Sequence, residues 1–352
     1  MTQKHSVRLA GFAALAMTFV LAACSTPEPT PPPLPPAPPP PPAINLSSQL
    51  FEEASAWRGY MNRASSISPA AFTSGSAVAD SLKTGAAYEP KQLLRGAIAY
   101  AAVLALQDQT FVGTVRGYAN DPAGRLRLAA ELRSNPYRVT SFPGADRAAS
   151  KIVAALGEEG SKVLLTGRAV KQSAYDVQRQ KWSKEFVPNR EGRLADVRVL
   201  SNTPIRGDIE EVSQMQTASL SGGLPMAEET VSAMPPGHWS PVVVRGLALA
   251  ALAALGEAGD DQLVALEPMF SDEPSMFCLN MSKLMLYQCL AAAKPHYEDV
   301  FCLGQHVLID TGQCTIKSAG APMPPEPTPA VQVAASKPAA SKPAAKGKPK
   351  SK

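Results

Sequence analysis

Residues 275–314 read SMFCLNMSKLMLYQCLAAAKPHYEDVFCLGQHVLIDTGQC. Four cysteines fall in this stretch: Cys278, Cys289, Cys302 and Cys314. Cys278 and Cys289 are eleven apart, three helical turns, and so share one face of a helix. Lys294-Pro295-His296 breaks that helix, because proline lacks the backbone donor and clashes with the preceding turn. The segment from Tyr297 onward then reads as a second helix. In an antiparallel helical hairpin, facing residues keep a constant index sum. Cys289 with Cys302 gives 591 and Cys278 with Cys314 gives 592. The spacing therefore predicts a Cys289–Cys302 disulfide near the turn and a Cys278–Cys314 disulfide at the open end. Four cysteines clustered in 37 residues point the same way, if the chain matures in an oxidising compartment.

A zinc site is the rival reading. Cys302 and His306 are four apart on a helix, and Cys278 and Cys289 would complete the set. Thiols rarely stay reduced in an oxidising compartment, so the disulfide reading is preferred and no metal or other cofactor is expected. A Cys302/His306 nucleophile pair is disfavoured for the same reason.

Working outward, the rest of the body also reads as helix. Alanine is abundant and aromatics make up only 6% of the chain, which favours helix over strand. Ser47 or Ser48 can cap a helix carrying Leu50, Phe51, Ala54, Trp57, Tyr60 and Met61 at helical spacing. Another helix is expected in Pro69–Thr84. After Pro90, the run Ala97–Leu106 is apolar on every side and so belongs in the middle of the core. Asp121-Pro122 starts a helix that ends by Asn135-Pro136. A long helix is predicted over Asp146–Glu185, with Leu156, Val163, Val170 and Val177 at heptad spacing. Gly157, Gly160 and Gly167 would permit close packing or a kink. An intermolecular coiled coil is the alternative.

Phe186–Pro241 is weakly patterned and is where the body would subdivide, near 186–240. Helices are expected near Arg190–Leu200 and Asp208–Gln216, with glycine- and proline-rich loops after them. Pro241 opens a second alanine-rich helix. Arg95-Gly96 and Arg245-Gly246 each precede such a run, which raises an ancient duplication as an alternative to convergent composition. No short repeat period is present. The fold class is therefore all-α: a helical bundle-like domain with a disulfide-stapled C-terminal hairpin, flanked by disordered segments.

Those flanks are low in complexity. Residues 24–43 are dominated by proline and residues 318–352 by Ala, Pro and Lys, leaving 44–317 as the folded domain. Polyproline II rises about 3.1 Å per residue, so the proline run is a semi-rigid spacer of roughly 50 Å. The formal net charge of +4 belongs to the ends. Without the six tail lysines, Lys4 and Arg8, 26 basic residues remain; without Glu28 and Glu326, 28 acidic ones remain. A near-neutral body argues against nucleic acid as partner. The lysines of Lys337–Lys352 would instead suit an anionic cell-surface polymer.

Residues 1–23 carry Lys4 and Arg8 ahead of an apolar run that ends Leu21-Ala22-Ala23-Cys24. This layout resembles the signal peptide and lipobox of bacterial lipoproteins. The resemblance implies cleavage before Cys24, acylation (palmitate among the chains) of Cys24, and anchoring in the lipid bilayer. Ser25, where inner-membrane lipoproteins often have Asp, implies the outer membrane, facing the periplasm. The cysteine hairpin resembles the twin-cysteine coiled-coil-helix proteins in device only, since its gaps of ten and eleven residues depart from their spacing of nine.

Catalytic motifs are scarce. HExxH, GxSxG, Walker and GxGxxG patterns are absent. Lys83-Thr84-Gly85 lacks the Ser-x-x-Lys that would give it meaning. Arg206-Gly207-Asp208 is a three-residue match in a loop. His238-Trp239 reads as an exposed aromatic–polar spot. The expectation is a non-enzymatic scaffold, tether or assembly accessory that binds another envelope protein. The alternatives are a cell-wall or polysaccharide hydrolase using carboxylates, or a polymer binder acting through the tail.

Overall fold

The computed structural model describes Pro40 and residues 42–221 and 238–326. Among these residues the fold is all-α, with thirteen α-helices and no strands beyond two isolated bridges, Leu46 with Ala258 and Phe186 with Pro295. The leader, most of the proline run, the Gly/Pro loop at 222–237 and the lysine tail lie outside the described residues.

Helix starts are written in the side chains. Ser47 caps α1 (Ser48–Ser65), Ser74 caps α2 (Gly75–Ala86), and Glu89 caps α3 (Pro90–Ala105). Asp108 caps α4 (Gln109–Gly117) and Asp121 caps α5 (Pro122–Ser134). In each case a side-chain oxygen accepts from a backbone N–H of the first turn, which has no partner within the helix. The long α6 (Ala145–Val177) follows, then α7 (Arg190–Leu200) and α8 (Ile209–Ser221). Ser240 caps α9 (Pro241–Ala254), and the short α10 (Leu263–Leu266) leads to α11 (Glu273–Ala292). Finally α12 (His296–Cys302) and α13 (Asp310–Ala319) are joined by a π-wound segment, Leu303–Ile309, into one helical rod.

The core is built around α3 and α9. In α3 every residue except Lys91, Gln92 and Arg95 is buried; in α9 only Pro241 and Arg245 are not. Small side chains let the backbones approach. A Cβ on Gly246 would stand 2.4 Å from the Ala101 methyl, and one on Gly96 would stand 2.5 Å from the Glu53 carbonyl of α1. Each Arg-Gly pair thus divides its labour: the glycine meets a neighbouring helix while the arginine reaches an acid, Glu53 and Glu267 for Arg95, Asp272 for Arg245.

The heptad residues of α6 are all buried inside this one chain. Gly160 lies against Gly312 of α13, and Gly167 against Ile309 of the π-wound segment. The helix ends at Val177, eight residues before the expected Glu185. The cause is the buried Ser183, whose hydroxyl donates to the Val177 carbonyl at 2.5 Å and closes the helix end. Trp182 therefore sits in a 3₁₀ turn rather than on the helix.

The disulfides join Cys278 to Cys314 and Cys289 to Cys302, both with Cα atoms 5.7 Å apart, within the usual range. They tie α11 to the α12–α13 rod. The zinc alternative loses its ligands: Cys278, Cys289 and Cys302 are disulfide-bonded, and the His306 imidazole meets Asp310 at 3.0 Å.

Both edges of the body differ from the sequence reading. At the start, Arg116 holds the Pro42 carbonyl at 3.0 Å, while Asn45 and Ser47 donate backbone bonds to Ala253 and Ala258. The last linker residues are thus seated against the end of α9. At the other edge α13 passes Lys317, Gly320 closes it in the left-handed conformation, and Arg168 grips Pro324, Pro325 and Glu326. No helix among the described residues is long and apolar enough to cross a membrane.

Candidate functional site

Lys91, Gln92 and Arg95, left out of the core by α3, all face one cleft of about 1130 Å³. Its other walls are Gln49, Glu52 and Glu53 of α1, the segment from Pro204 to Ile209, and Glu267. The segment is fastened at two points. Gln92 and Ile205 exchange hydrogen bonds, side-chain amide with backbone, at 2.6 and 2.7 Å. The Ser55 hydroxyl accepts from the Asp208 N–H at 2.9 Å. Gly207 is needed between them, because a Cβ there would lie 2.6 Å from the Glu52 carbonyl.

The floor is an ion-pair cluster. The Arg95 Nε donates to both Glu53 oxygens, at 3.1 and 3.2 Å, and its Nη1 donates to Glu267. The guanidinium also covers the Phe270 ring at 4.3 Å, a cation–π contact. Lys91 adds a second cation to Glu267 at 3.3 Å. Burial pushes the Glu53 carboxyl above its usual range, against the opposing pull of the Arg95 charge. Glu267 is displaced the other way, chiefly by the hydrogen bond from Arg95. The Glu52 and Arg206 side chains, at the mouth, make no ion pair or hydrogen bond with described residues.

Two carboxylates with displaced affinities in one cleft are the raw material of acid–base chemistry. Here the same guanidinium holds both. That arrangement is a fixed charge pattern, with one unpaired carboxylate, Glu52, and one unpaired guanidinium, Arg206, at the rim.

The sequence reading picked out few of these residues. It singled out Arg95 and the Arg206-Gly207-Asp208 match, but gave neither a role in a shared site. Glu53 and Glu267 are 214 positions apart, so their convergence is a tertiary fact. One signal was present: Glu53 is three residues after Leu50 and four before Trp57, on the buried stripe of α1. A charge in phase with an apolar stripe announces a buried partner. The other sequence candidates scatter. The four hairpin cysteines are disulfide-bonded and Cys24 lies outside the described residues. His238 is exposed, but Trp239 is buried in the core, which corrects the expectation of an exposed pair. Compared with protein-family models, curated proteins and solved structures, the chain has no match.

Proposed function

We propose that this protein is an envelope lipoprotein, lipidated on Cys24 and facing the periplasm from the outer membrane, which binds another envelope protein through the Glu53–Arg95–Glu267 cleft. The anchor rests on the Leu21-Ala22-Ala23-Cys24 match. The non-catalytic role rests on one observation: the two displaced acids of the cleft share one guanidinium, Arg95, whose charge favours their ionised forms. Glu52 and Arg206 at the mouth supply charges of both signs for recognition.

The test compares partners. Proteins cross-linked to the wild type in solubilised envelopes are set against those of a Glu52→Gln/Arg206→Ala variant. A partner lost only in the variant is the expected result. Identical sets would sink the cleft as the docking site. Mass analysis of the mature N-terminus should find acyl chains on Cys24, and intact residues 1–23 would refute the anchor.

The opposed displacement of Glu53 and Glu267 favours a second reading, a carboxylate hydrolase acting on a polysaccharide. Release of soluble fragments from purified cell wall, abolished by Glu53→Gln, would support it over the first. The polymer-binding reading, through Lys337–Lys352, predicts salt-sensitive retention on anionic polymer that tail truncation removes.

A further inference from the structure

A second pocket, of about 590 Å³, opens between α2, α7 and α12, apart from the Arg95 cleft. Its volume lies within the range of small-ligand sites. His296 is one of its lining residues. The imidazole rests so closely on Gly75 that a Cβ there would stand 2.3 Å from the ring. Neither ring nitrogen has a hydrogen-bonding partner among the described residues, although the ring is half-buried. The ring leans on Trp182, with centroids 6.4 Å apart, and the His296 backbone N–H donates to the Glu185 carbonyl.

The charges around the ring differ in how far they are paired. Arg193 and Asp299 line the pocket and are buried against each other; Arg193 also donates to the Leu290 and Ala293 carbonyls, while its buried Nε has no hydrogen-bond partner among the described residues. Lys83 and Asp196 line it too, and both are exposed. They form no ion pair with each other or with any described residue. One free cation and one free anion on the same pocket match a ligand that carries one charge of each sign. The same pocket is lined by neutral hydrogen-bonding groups: the Ser74 and Ser76 hydroxyls, 2.9 Å apart, and the Asn189 amide. Leu82, Val187 and Val197 supply apolar wall.

We infer that this pocket binds a short zwitterionic peptide of about two or three residues, a size that fits its volume. The carboxylate pairs with Lys83 and the amine with Asp196. The peptide group is met by His296 and the serine hydroxyls, and a small apolar side chain lies on Leu82 and Val197. Gly75 is the residue that allows His296 its position.

Calorimetry on the full chain tests this with alanyl-leucine, its N-acetyl form and its C-terminal amide. The free dipeptide should bind, and either blocked form should bind about tenfold more weakly, the loss of one charge contact. Lys83→Ala should erase the preference for acid over amide. Asp196→Asn should erase the preference for free amine over acetyl. His296→Ala should weaken all three ligands, and the imidazole resonance of His296 should shift when the dipeptide is added to wild type. Because Lys83 and Asp196 are exposed, their variants report even if His296→Ala fails to fold. The inference is overturned if the dipeptide gives neither heat nor a His296 shift at millimolar concentration. It is equally overturned if the blocked forms bind as well as the free one, or if the Lys83 and Asp196 variants keep the wild-type preferences.

Discussion

Arg95 and Lys283 are both withdrawn from water, one in the company of two carboxylates and the other with none. Arg95 meets Glu53 and Glu267. Lys283, on α11, donates to the Ala86 carbonyl at 2.7 Å and the Ser201 hydroxyl at 3.1 Å, and stands 3.3 Å from the centre of the Tyr88 ring. The Tyr88 hydroxyl in turn meets Ser282 and Thr311, and burial pushes its pKa up to about 12. Arg95 keeps its charge because guanidinium stays protonated across the accessible range and because acids surround it. Lys283 is under the opposite pressure. Burial pulls its pKa well below the usual lysine value, against a weaker pull from Glu89. The first site is a charge cluster at a cleft; the second is a polar joint where α11 fastens to the ends of α2 and α7.

The largest effect should come from the staples that hold the second site. In the chain-entropy account, the outer bond, spanning 36 positions, contributes about 4 kcal/mol and the inner one, spanning 13, about 3 kcal/mol. Cys278→Ala/Cys314→Ala should lower the denaturation midpoint more than Cys289→Ala/Cys302→Ala. The reverse order would mean that the Lys283 joint does not depend on the open end of the hairpin.

Next comes the charge cluster. Arg95→Ala leaves Glu53 buried without its partner and should cost about 3 kcal/mol in urea unfolding. A cost no greater than that of an exposed ion pair would put the two cations in one class.

Lys283→Met should cost less, under about 1 kcal/mol at neutral pH, because a well-packed apolar chain replaces an ion that burial disfavours. Its pH dependence carries the sharper test. A folded-state pKa below the unfolded one means that the unfolded chain binds the proton more readily. Stability is then lost as pH falls from about 10.4 toward the folded value. Wild type should therefore gain stability as pH rises through that window, and Lys283→Met should lack that gain. Parallel curves for the two proteins would show Lys283 charged in the fold, as Arg95 is.

The smallest effect belongs to a cation left in water. Lys162 bridges Glu158 and Glu159 on the surface of α6, and Lys162→Met should change stability by no more than about 0.5 kcal/mol. A larger loss in a thermal melt would mean that exposure does not separate the classes.

Much of the fold was legible because its signals are local. Pro90, Pro122 and Pro241 stand first in their helices, Asp121 and Ser47 cap, and the index sums of the cysteines name the disulfides. The end of α6 was not legible, because Ser183 closes it through a bond made only after the chain has turned back. Nor were the two pockets, which draw on helices far apart in sequence. Even so, both buried cation sites left a trace. Glu53 falls in phase with Leu50 and Trp57, and Lys283 in phase with Leu279 and Leu286. Besides the cysteine spacing, charge on an apolar stripe was the mark of a tertiary partner that the single sequence carried.

The seating of residues 42–47 has a mechanical consequence. Tension arriving along the chain before Pro42 meets the Arg116 guanidinium first, then the Ala253 and Ala258 carbonyls. Arg116, on α4, also holds the Ala254 carbonyl, and all three carbonyls lie at or just beyond the C-terminal end of α9, where every helical residue but Pro241 and Arg245 is buried. A pull is therefore delivered to the end of α9 before it reaches α1, and α1 is spared until the bonds to Arg116, Ala253 and Ala258 have all given way.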